Sequence, residues 1–475
     1  MGNNLKFYIG GTWVDPVVPN PIPVIDPATE EPFTEISGGG AADVDRAVAA
    51  ARAAFPSFSR TTKKERLELL KSCLAAYNRR FDEIAEACTH EMGAPIGFAK
   101  EAQAFVGQAH FQALIDVFEN FAFTEKRGMT LVAKEPIGVC GLITPWNWPL
   151  NQIVCKVAPA LAAGNTMVLK PSEIAPINAI IFAEVMHEAG VPKGVFNLVN
   201  GDGPSVGQKL AEHKDVDMMS FTGSTRAGII VAKAAADTVK RVCQELGGKS
   251  PNILLPDVDL EDAVRKGIGA CFINSGQSCD AATRMLVPRA LHDRAVKYAV
   301  NEAEKQTTGD PWAAGTVLGP LVSQTQFDKV QRLIKAGIEE GATLATGGLG
   351  RPEGLNCGYY ARPTVFANVT REMTIAREEI FGPVLSIMPY GSEEEAIDIA
   401  NDTVYGLAAY VQGKDLKKAR EVACRMRVGS VYVNYPDIDF TAPFGGYKQS
   451  GNGREYADFA LNDFLEIKGI IGYGE

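Results

Sequence analysis

Val139-Cys140-Gly141-Leu142-Ile143-Thr144 opens the rhythm that decides the fold. Three more short apolar runs follow it: Thr166 to Leu169, Val195 to Val199 and Met218 to Phe221. Between them lie helical patterns such as Ala175 to Ala189, closed by Gly190 and then Pro192. Strand, helix, strand in this order argues for βαβ units and a parallel sheet. A second alternating series runs from Asn252 to about Val433, with strands at Ile253-Leu254-Leu255, Met285-Leu286-Val287 and Val431-Tyr432-Val433. The chain begins differently. Phe7-Tyr8-Ile9 and Thr12-Trp13-Val14 flank Gly10-Gly11, a hairpin signal. An Ala-rich helix is expected from Ala41 to Phe55. Thr62-Lys63-Lys64-Glu65 reads as a capping box, with Leu67, Leu70 and Leu74 on one face behind it. The fold class is α/β.

The length, 475 residues, suggests two or three domains. At 46% apolar and 22% charged residues the chain has side chains enough for large cores. No fixed-period repeat and no long linker interrupts it, so the domains should share an interface. A formal charge of −10 argues against a nucleic-acid surface and against a polybasic membrane patch. The N-terminus carries no apolar signal region, and Lys6 stands where a myristoylation motif would have Ser or Thr. No run of about 18 uncharged apolar residues predicts a membrane span. The nine cysteines are odd in number and irregularly spaced, with no CxxC pair. That supports neither a disulfide framework nor zinc, and fits a reducing, cytoplasmic location. The five histidines form no HExxH, and no metal is expected.

Four segments could carry chemistry. Gly201-Asp202-Gly203 with Gly207 imitates a dinucleotide fingerprint with one residue too many, and reads equally as a plain turn. Phe221-Thr222-Gly223-Ser224 leads from a strand into a helix, where free amides favour an anion and the Ser224 hydroxyl adds a bond; a tight strand-to-helix turn is the alternative. Lys170-Pro171-Ser172-Glu173 ends a strand, where ligands of a doubly wound sheet bind. A carboxylate there can take both ribose hydroxyls, although a solvated ion pair is the simpler reading. Cys279 follows the polar turn Gly276-Gln277-Ser278, whereas the other eight cysteines read as small buried hydrophobes. A thiol of lowered pKa is a strong nucleophile. No His lies near it in sequence, which weakens a Cys–His hydrolase reading. A carboxylate, Glu245, sits in Glu245-Leu246-Gly247-Gly248-Lys249.

These segments, taken in order, resemble the NAD(P)-dependent aldehyde dehydrogenase superfamily over nearly the whole chain. The motifs are Pro145-Trp146-Asn147-Trp148-Pro149, Lys170-Pro171-Ser172-Glu173, Phe221-Thr222-Gly223-Ser224, Glu245-Leu246-Gly247-Gly248-Lys249, Gly276-Gln277-Ser278-Cys279, Glu379-Ile380-Phe381-Gly382-Pro383 and Pro443-Phe444-Gly445-Gly446 with Lys448, Ser450 and Gly451. The resemblance implies that Cys279 is the nucleophile, that the Asn147 amide and the Cys279 N–H form an oxyanion hole, and that Glu245 activates water to release a carboxylic acid. Branches that acylate coenzyme A usually lack that carboxylate.

For the cofactor the resemblance implies Lys170, Ser172 and Glu173 at the adenosine ribose. It places Gly203, Phe221, Gly223, Ser224 and Leu246 along the adenine and pyrophosphate. Thr144, Pro145 and Trp146 run beside the cofactor, and Glu379 and Phe381 reach the nicotinamide end. Glu173 would repel a 2′-phosphate, so NAD is expected, with NADP the alternative. The implied fold has a Rossmann-like cofactor domain (1–115 and 137–247), a catalytic domain (248–450) and a small β oligomerisation element (116–136 and 455–475), in a homodimer or homotetramer. Trp148, Asn151, Gln152, Asp280, Tyr435 and Phe444 should line the substrate pocket, with Cys155, Asp437 and Asp439 near it. No Arg or Lys is among them, which favours a neutral, polar, aromatic or cationic aldehyde over a carboxylated one. The three aspartates either face the substrate or cap turns.

Overall fold

The structure, a computed structural model, describes residues 2–474. Two hairpins open the chain: β1 (Phe7–Ile9) with β2 (Thr12–Val14), and β3 (Pro21–Asp26) with β4 (Glu31–Ser37). A third joins β5 (Thr124–Arg127) to β6 (Thr130–Pro136). Then come β7 (Val139–Ile143), β8 (Thr166–Lys170), β9 (Phe196–Leu198), β10 (Met218–Thr222) and β11 (Arg241–Glu245). A second series holds β12 (Pro251–Leu254), β13 (Arg284–Pro288), β14 (Thr343–Thr346), β15 (Thr364–Ala367), β16 (Val384–Tyr390), β17 (Ala408–Gln412) and β18 (Ser430–Val433). Two late strands, β19 (Gly451–Asn452) and β20 (Leu465–Ile471), complete the set.

The first sheet runs β19-β11-β10-β7-β8-β9-β1-β2 and is parallel from β11 through β9. From β7 the chain builds outward through β8 and β9, then crosses back to lay β10 on the other side. The strand order therefore reverses between β7 and β10, and a crevice opens at their carboxyl ends, where ligands of such sheets bind. β7, β8 and β10 are buried at every position. Helices on both faces of a parallel sheet require this, and it explains why these strands read as largely apolar runs without alternation. The second sheet, β14-β15-β16-β13-β12-β17-β18, is parallel apart from the β14–β15 pair.

Local expectations are met with small shifts. Gly10 and Gly11 turn the first hairpin at φ 63° and 81°, a geometry that costs glycine little. The capping box forms: the Glu65 N–H donates to Thr62 Oγ1 at 3.2 Å and the Thr62 N–H to Glu65 Oε2 at 2.7 Å. The face buried behind it is Arg66, Leu70, Cys73, Ala76 and Tyr77, so Leu67 and Leu74 only flank it. The first helix runs Ala41–Phe58, past the expected end and through Pro56. The helix read from Ala175 spans Ile177–Glu188, because Pro176 sets its start and Glu91 accepts from the N–H groups of Ile177 and Asn178.

Near the end of the chain, helix Ala457–Asp463 packs on helices Pro149–Ala163 and Phe105–Phe118. Leu461, Phe464 and Leu465 enter the same core as those helices. β20 then pairs antiparallel with β6 from Leu465↔Pro136 to Ile471↔Thr130, making the three-stranded sheet β20-β6-β5. Ile467 (73% exposed) and Ile471 (87%) stand free on it.

Candidate active site

Helix Leu260–Phe272 ends in a turn, Ile273–Gly276, in which Asn274 and Ser275 both adopt φ 55°. Left-handed backbone at non-glycine residues costs about 1–3 kcal/mol each and persists only when the surroundings fix it. They do so here. Asn274 Nδ2 donates to the carbonyls of Asn147 (2.8 Å) and Gln277 (3.2 Å), and Gln103 Nε2 to Asn147 O (3.0 Å). The Trp148 indole donates to Ser278 Oγ at 2.8 Å. These bonds fasten the Asn147 loop to the Cys279 loop. Asn147 Nδ2 spends one hydrogen on Gln277 O at 3.0 Å, which orients the amide and leaves its second hydrogen for a ligand. The half-buried Cys279 thiol is pushed well above its ordinary pKa, first by burial and then by the charges of Asp280, Glu379 and Glu245. It rests protonated at neutral pH, so attack needs a base.

Glu245 ends β11. It is buried, and among the described residues neither carboxylate oxygen has a hydrogen-bond partner. Burial and then Glu455 raise its pKa well above the usual carboxylate range, while Lys156 and Arg454 oppose the shift. Lys156 Nζ is ion-paired with Glu455 Oε1, and Cys155 Sγ contacts Glu455 Oε2 at 3.1 Å. A cavity of ≈ 10 Å³, the size of one water, lies among Glu245, Arg454, Glu455 and Asp463. A Cβ on Gly445 would stand 2.7 Å from Glu245 Oε1, so glycine there leaves the carboxylate room.

The Gly247-Gly248 pair is explained by its neighbours. A Cβ on Gly247 would meet Glu379 Oε2 at 2.5 Å, and one on Gly248 the Cys279 carbonyl oxygen at 2.3 Å. The Gly248 N–H donates to Glu379 Oε1 at 2.9 Å. Gly248→Ala should therefore displace the nucleophile's backbone. The expected result is loss of most activity and of about 1–3 kcal/mol of stability, checked by thermal melting together with turnover. An alanine variant with wild-type turnover contradicts this.

Several of the candidate cofactor residues follow the carboxyl ends of β7, β8, β10 and β11. Thr144 follows β7, donates its N–H to Lys170 O at 3.1 Å, and keeps a buried hydroxyl without a partner among the described residues. Lys170 Nζ donates to Glu173 Oε2 at 2.8 Å, which leaves Oε1 available. Ser172 Oγ accepts from the Ile174 N–H at 3.2 Å. The Gly223 N–H donates to Glu245 O at 3.0 Å, and a Cβ at Gly223 would touch the Phe221 ring at 2.6 Å. The Ser224 hydroxyl caps helix Thr225–Ala235 through the Ala227 N–H at 3.3 Å, so it serves the helix first. Leu246 is buried in the core with Phe221 and Val231. Phe381, at φ 61°, sets its ring edge-on to Trp146 at 5.4 Å, and Pro145 is half-buried. Gly203 is exposed and opens the short turn Gly203–Gly207, capped by Asp202.

On the substrate side, Trp148 and Asn151 are half-buried and Gln152 is buried with an unpartnered Oε1. Phe444 pairs its backbone with Glu455. Asp280 is half-buried, and desolvation raises its pKa. Of the two readings of the aspartates, turn-capping holds for Asp439, which accepts from the Thr441 N–H at 2.9 Å, and Asp437 is exposed. Tyr435 is not brought to the nucleophile. Its ring leans on Tyr410 at 5.4 Å, and its hydroxyl is buried toward Gly267. Left-handed backbone at Asn434 and Tyr435 breaks the strand's alternation, and Tyr432 instead feels the charges of Asp280 and Cys279. Sequence reasoning also passed over Lys156 and Glu455. Lys156 had a signal, as the lone charge in the apolar helix Pro149–Ala163; Glu455 had none.

Two parallel-sheet units meeting at a half-buried thiol, an unpaired carboxylate and a switch-point crevice define an α/β enzyme that works through covalent catalysis beside a cofactor. The chain matches the model of the aldehyde dehydrogenase family over residues 13–470. It belongs to that family and is an oxidoreductase. It is 56% identical to the 3-succinoylsemialdehyde-pyridine dehydrogenase of a Pseudomonas species, over 98% of each chain. An aldehyde dehydrogenase C from Pseudomonas syringae, a Cys-to-Ala mutant solved with NAD+ and octanal, superposes with a TM-score of 0.99 at 53% identity, covering 99% of this chain and 97% of that one. Betaine aldehyde dehydrogenase from Staphylococcus aureus, solved with NAD+, gives 0.95 at 36% identity, covering 99% and 95%.

Proposed function

We propose that this enzyme oxidises an aldehyde to a free carboxylic acid with NAD, using Cys279 as nucleophile and Glu245 as base. The observation that carries the reading is the buried, unpartnered Glu245 carboxylate whose charge bears on the Cys279 thiol. The residues fit a dinucleotide: an orphaned buried Thr144 hydroxyl, a side-chain-free turn at Gly223 and a free Glu173 oxygen follow the adjacent strands β7, β10 and β8. Lys170 and Glu173 hold the adenosine ribose. Phe221, Gly223, Ser224 and Leu246 line the adenine and pyrophosphate region with Gly203 at its rim, and Thr144, Pro145, Trp146 and Ser172 flank it. Glu379 and Phe381 hold the nicotinamide end. When bound, NAD accepts the hydride.

Glu245 takes the thiol proton, and the Cys279 thiolate attacks the aldehyde carbonyl. The Asn147 amide and the Cys279 N–H donate to the resulting oxyanion; one such donor is worth about 3–4 kcal/mol in the transition state. Loss of hydride leaves a thioester on Cys279. Glu245 then deprotonates water, which releases the acid, and the Lys156–Glu455 pair offers the proton a way out of the buried site. Hydrolysis, rather than transfer to coenzyme A, follows from the presence of this base.

The Glu245 pKa is raised, so at low pH the base is protonated and inactive. Turnover should rise with pH until Glu245 ionises, and this limb should be missing in Glu245→Gln. A pH profile of kcat shared by both enzymes contradicts the assignment.

The substrate is a neutral, polar, aromatic or cationic aldehyde. Asp280 is half-buried next to Cys279 in the chain, and desolvating a substrate carboxylate near it is costly. The Pseudomonas relative named for a pyridine-bearing semialdehyde, and the octanal bound to its P. syringae counterpart, support an uncharged tail. We read 1–115 with 137–247 as the cofactor domain, 248–450 as the catalytic domain, and 116–136 with 455–475 as the oligomerisation element. The exposed β20 edge would pair with a second copy in a dimer or tetramer. A cytoplasmic location fits the cysteine pattern. Among the described residues no helix is long and apolar enough to cross a membrane. A panel of aldehydes with NAD or NADP, followed by absorbance of the reduced cofactor, tests the whole reading. No reduction with any aldehyde overturns it.

A further inference from the structure

Asn151 is the one residue of helix Pro149–Ala163 that is not buried. Its Oδ1 accepts from two side chains at once, His110 Nε2 and the Tyr456 hydroxyl, the latter at 3.4 Å. His110 comes from helix Phe105–Phe118, and burial lowers its pKa to about 4. The ring is therefore neutral in use, and its single N–H is committed to Asn151. Two donors on one oxygen fix which end of the amide is which. The Nδ2 end has no acceptor among the described residues and is not sealed from solvent.

The two side chains that hold this amide belong to an aromatic cluster. The His110 ring lies 4.3 Å from that of Tyr456 and edge-on to Phe440 at 5.1 Å. Phe444 stacks on Tyr456 at 5.0 Å with an interplanar angle of 18°. The backbone is strained to achieve this: Tyr456 and Ala457 are consecutive non-glycine residues at φ 77° and 45°. The cluster is tied to the segment that carries the nucleophile. Trp148, one turn before Asn151, holds Ser278 next to Cys279. Tyr432 feels the charges of Cys279 and Asp280 and in turn bears on Tyr456.

We infer that His110, Asn151 and Tyr456 form a specificity site that reads the far end of the aldehyde, selecting a flat, uncharged group that presents a hydrogen-bond acceptor to Asn151 Nδ2. An aromatic ring nitrogen or an aryl ketone has this chemistry. Asn151 makes the contact; His110 and Tyr456 are positioning residues that hold its amide. The inference rests on Cys279 being the site of attack.

The test is a matched pair, 3-(pyridin-3-yl)propanal and 3-phenylpropanal, with 3-(3-carboxyphenyl)propanal as a charged third, at mildly alkaline pH where the ring nitrogen is unprotonated. The wild-type enzyme should favour the pyridyl over the phenyl aldehyde in kcat/KM by about tenfold or more, because an unmet donor penalises the analogue that lacks the acceptor. Asn151→Leu should bring the ratio close to one. Tyr456→Phe, which keeps the ring and loses only the hydroxyl, should lower it by about two- to fivefold. NAD binding and melting temperature establish that each variant is folded. A wild-type ratio near one, a ratio that survives Asn151→Leu, or a preference for the carboxylated aldehyde overturns the inference. A ratio unmoved by Tyr456→Phe overturns the positioning role. Absence of NADH from all three aldehydes and from octanal overturns the underlying reaction instead, and the inference with it.

Discussion

Cys279→Ala should abolish turnover, lowering it by at least about 10³-fold, while NAD still binds. The replaced thiol follows Ser278 on the loop that the Asn274, Asn147 and Trp148 bonds hold in place. Removing the sulfur leaves those bonds in place, because they run through Ser278, the Gln277 carbonyl and the Asn147 carbonyl. The crevice beyond β7 and β10 is built from other residues altogether. NAD affinity, measured by quenching of tryptophan fluorescence, should therefore stay within a few-fold of wild type. Appreciable NADH from the variant would falsify the assignment of the nucleophile.

Glu245→Gln should separate the two halves of the reaction. Glutamine is close to isosteric, so the space left by Gly445 still accommodates it. It cannot take a proton from water. Thioester breakdown should slow by about 10²–10⁴-fold, and rapid mixing should show a burst of NADH followed by a slow steady state. Because Glu245 also serves the thiol, the burst itself should be slower than in wild type, most of all at low pH. Steady turnover at the wild-type rate, or coenzyme A accepting the acyl group faster than water does in the unaltered enzyme, contradicts the hydrolytic role.

The sheets were legible because burial on both faces leaves a plain mark: β7, β8 and β10 are buried throughout, largely apolar, and sit between helical patterns. Cys279 stood out because it follows the polar turn Gly276-Gln277-Ser278, which comes directly after the left-handed residues Asn274 and Ser275. What sequence could not carry was proximity between distant stretches. Glu455 lies 210 positions beyond Glu245 in the chain, yet the two share one buried cluster with Lys156. Tyr435 is named through the resemblance alone, and the left-handed backbone at Asn434 and Tyr435 turns its ring onto Tyr410 instead. Tyr456 was invisible for the same kind of reason, since a tyrosine at φ 77° is a conformation that nothing in composition or periodicity announces.

The closing stretch of the chain has a consequence for how the enzyme is made. Gly445 shapes the space around Glu245, β19 pairs with β11 at Glu245 itself, Glu455 neutralises Lys156, and Phe464 and Leu465 enter the first core. Each contact joins the end of the sequence to residues synthesised hundreds of positions earlier. On the ribosome, domains tend to fold as they emerge, but the working centre of this one must wait. Until residues beyond 455 have left the exit tunnel, Lys156 is a charge buried without its partner and β11 is a strand with an open edge. Partial chains should thus accumulate as folded but catalytically silent species. Activity should appear late and abruptly in a synchronised translation, rather than growing in proportion to chain length.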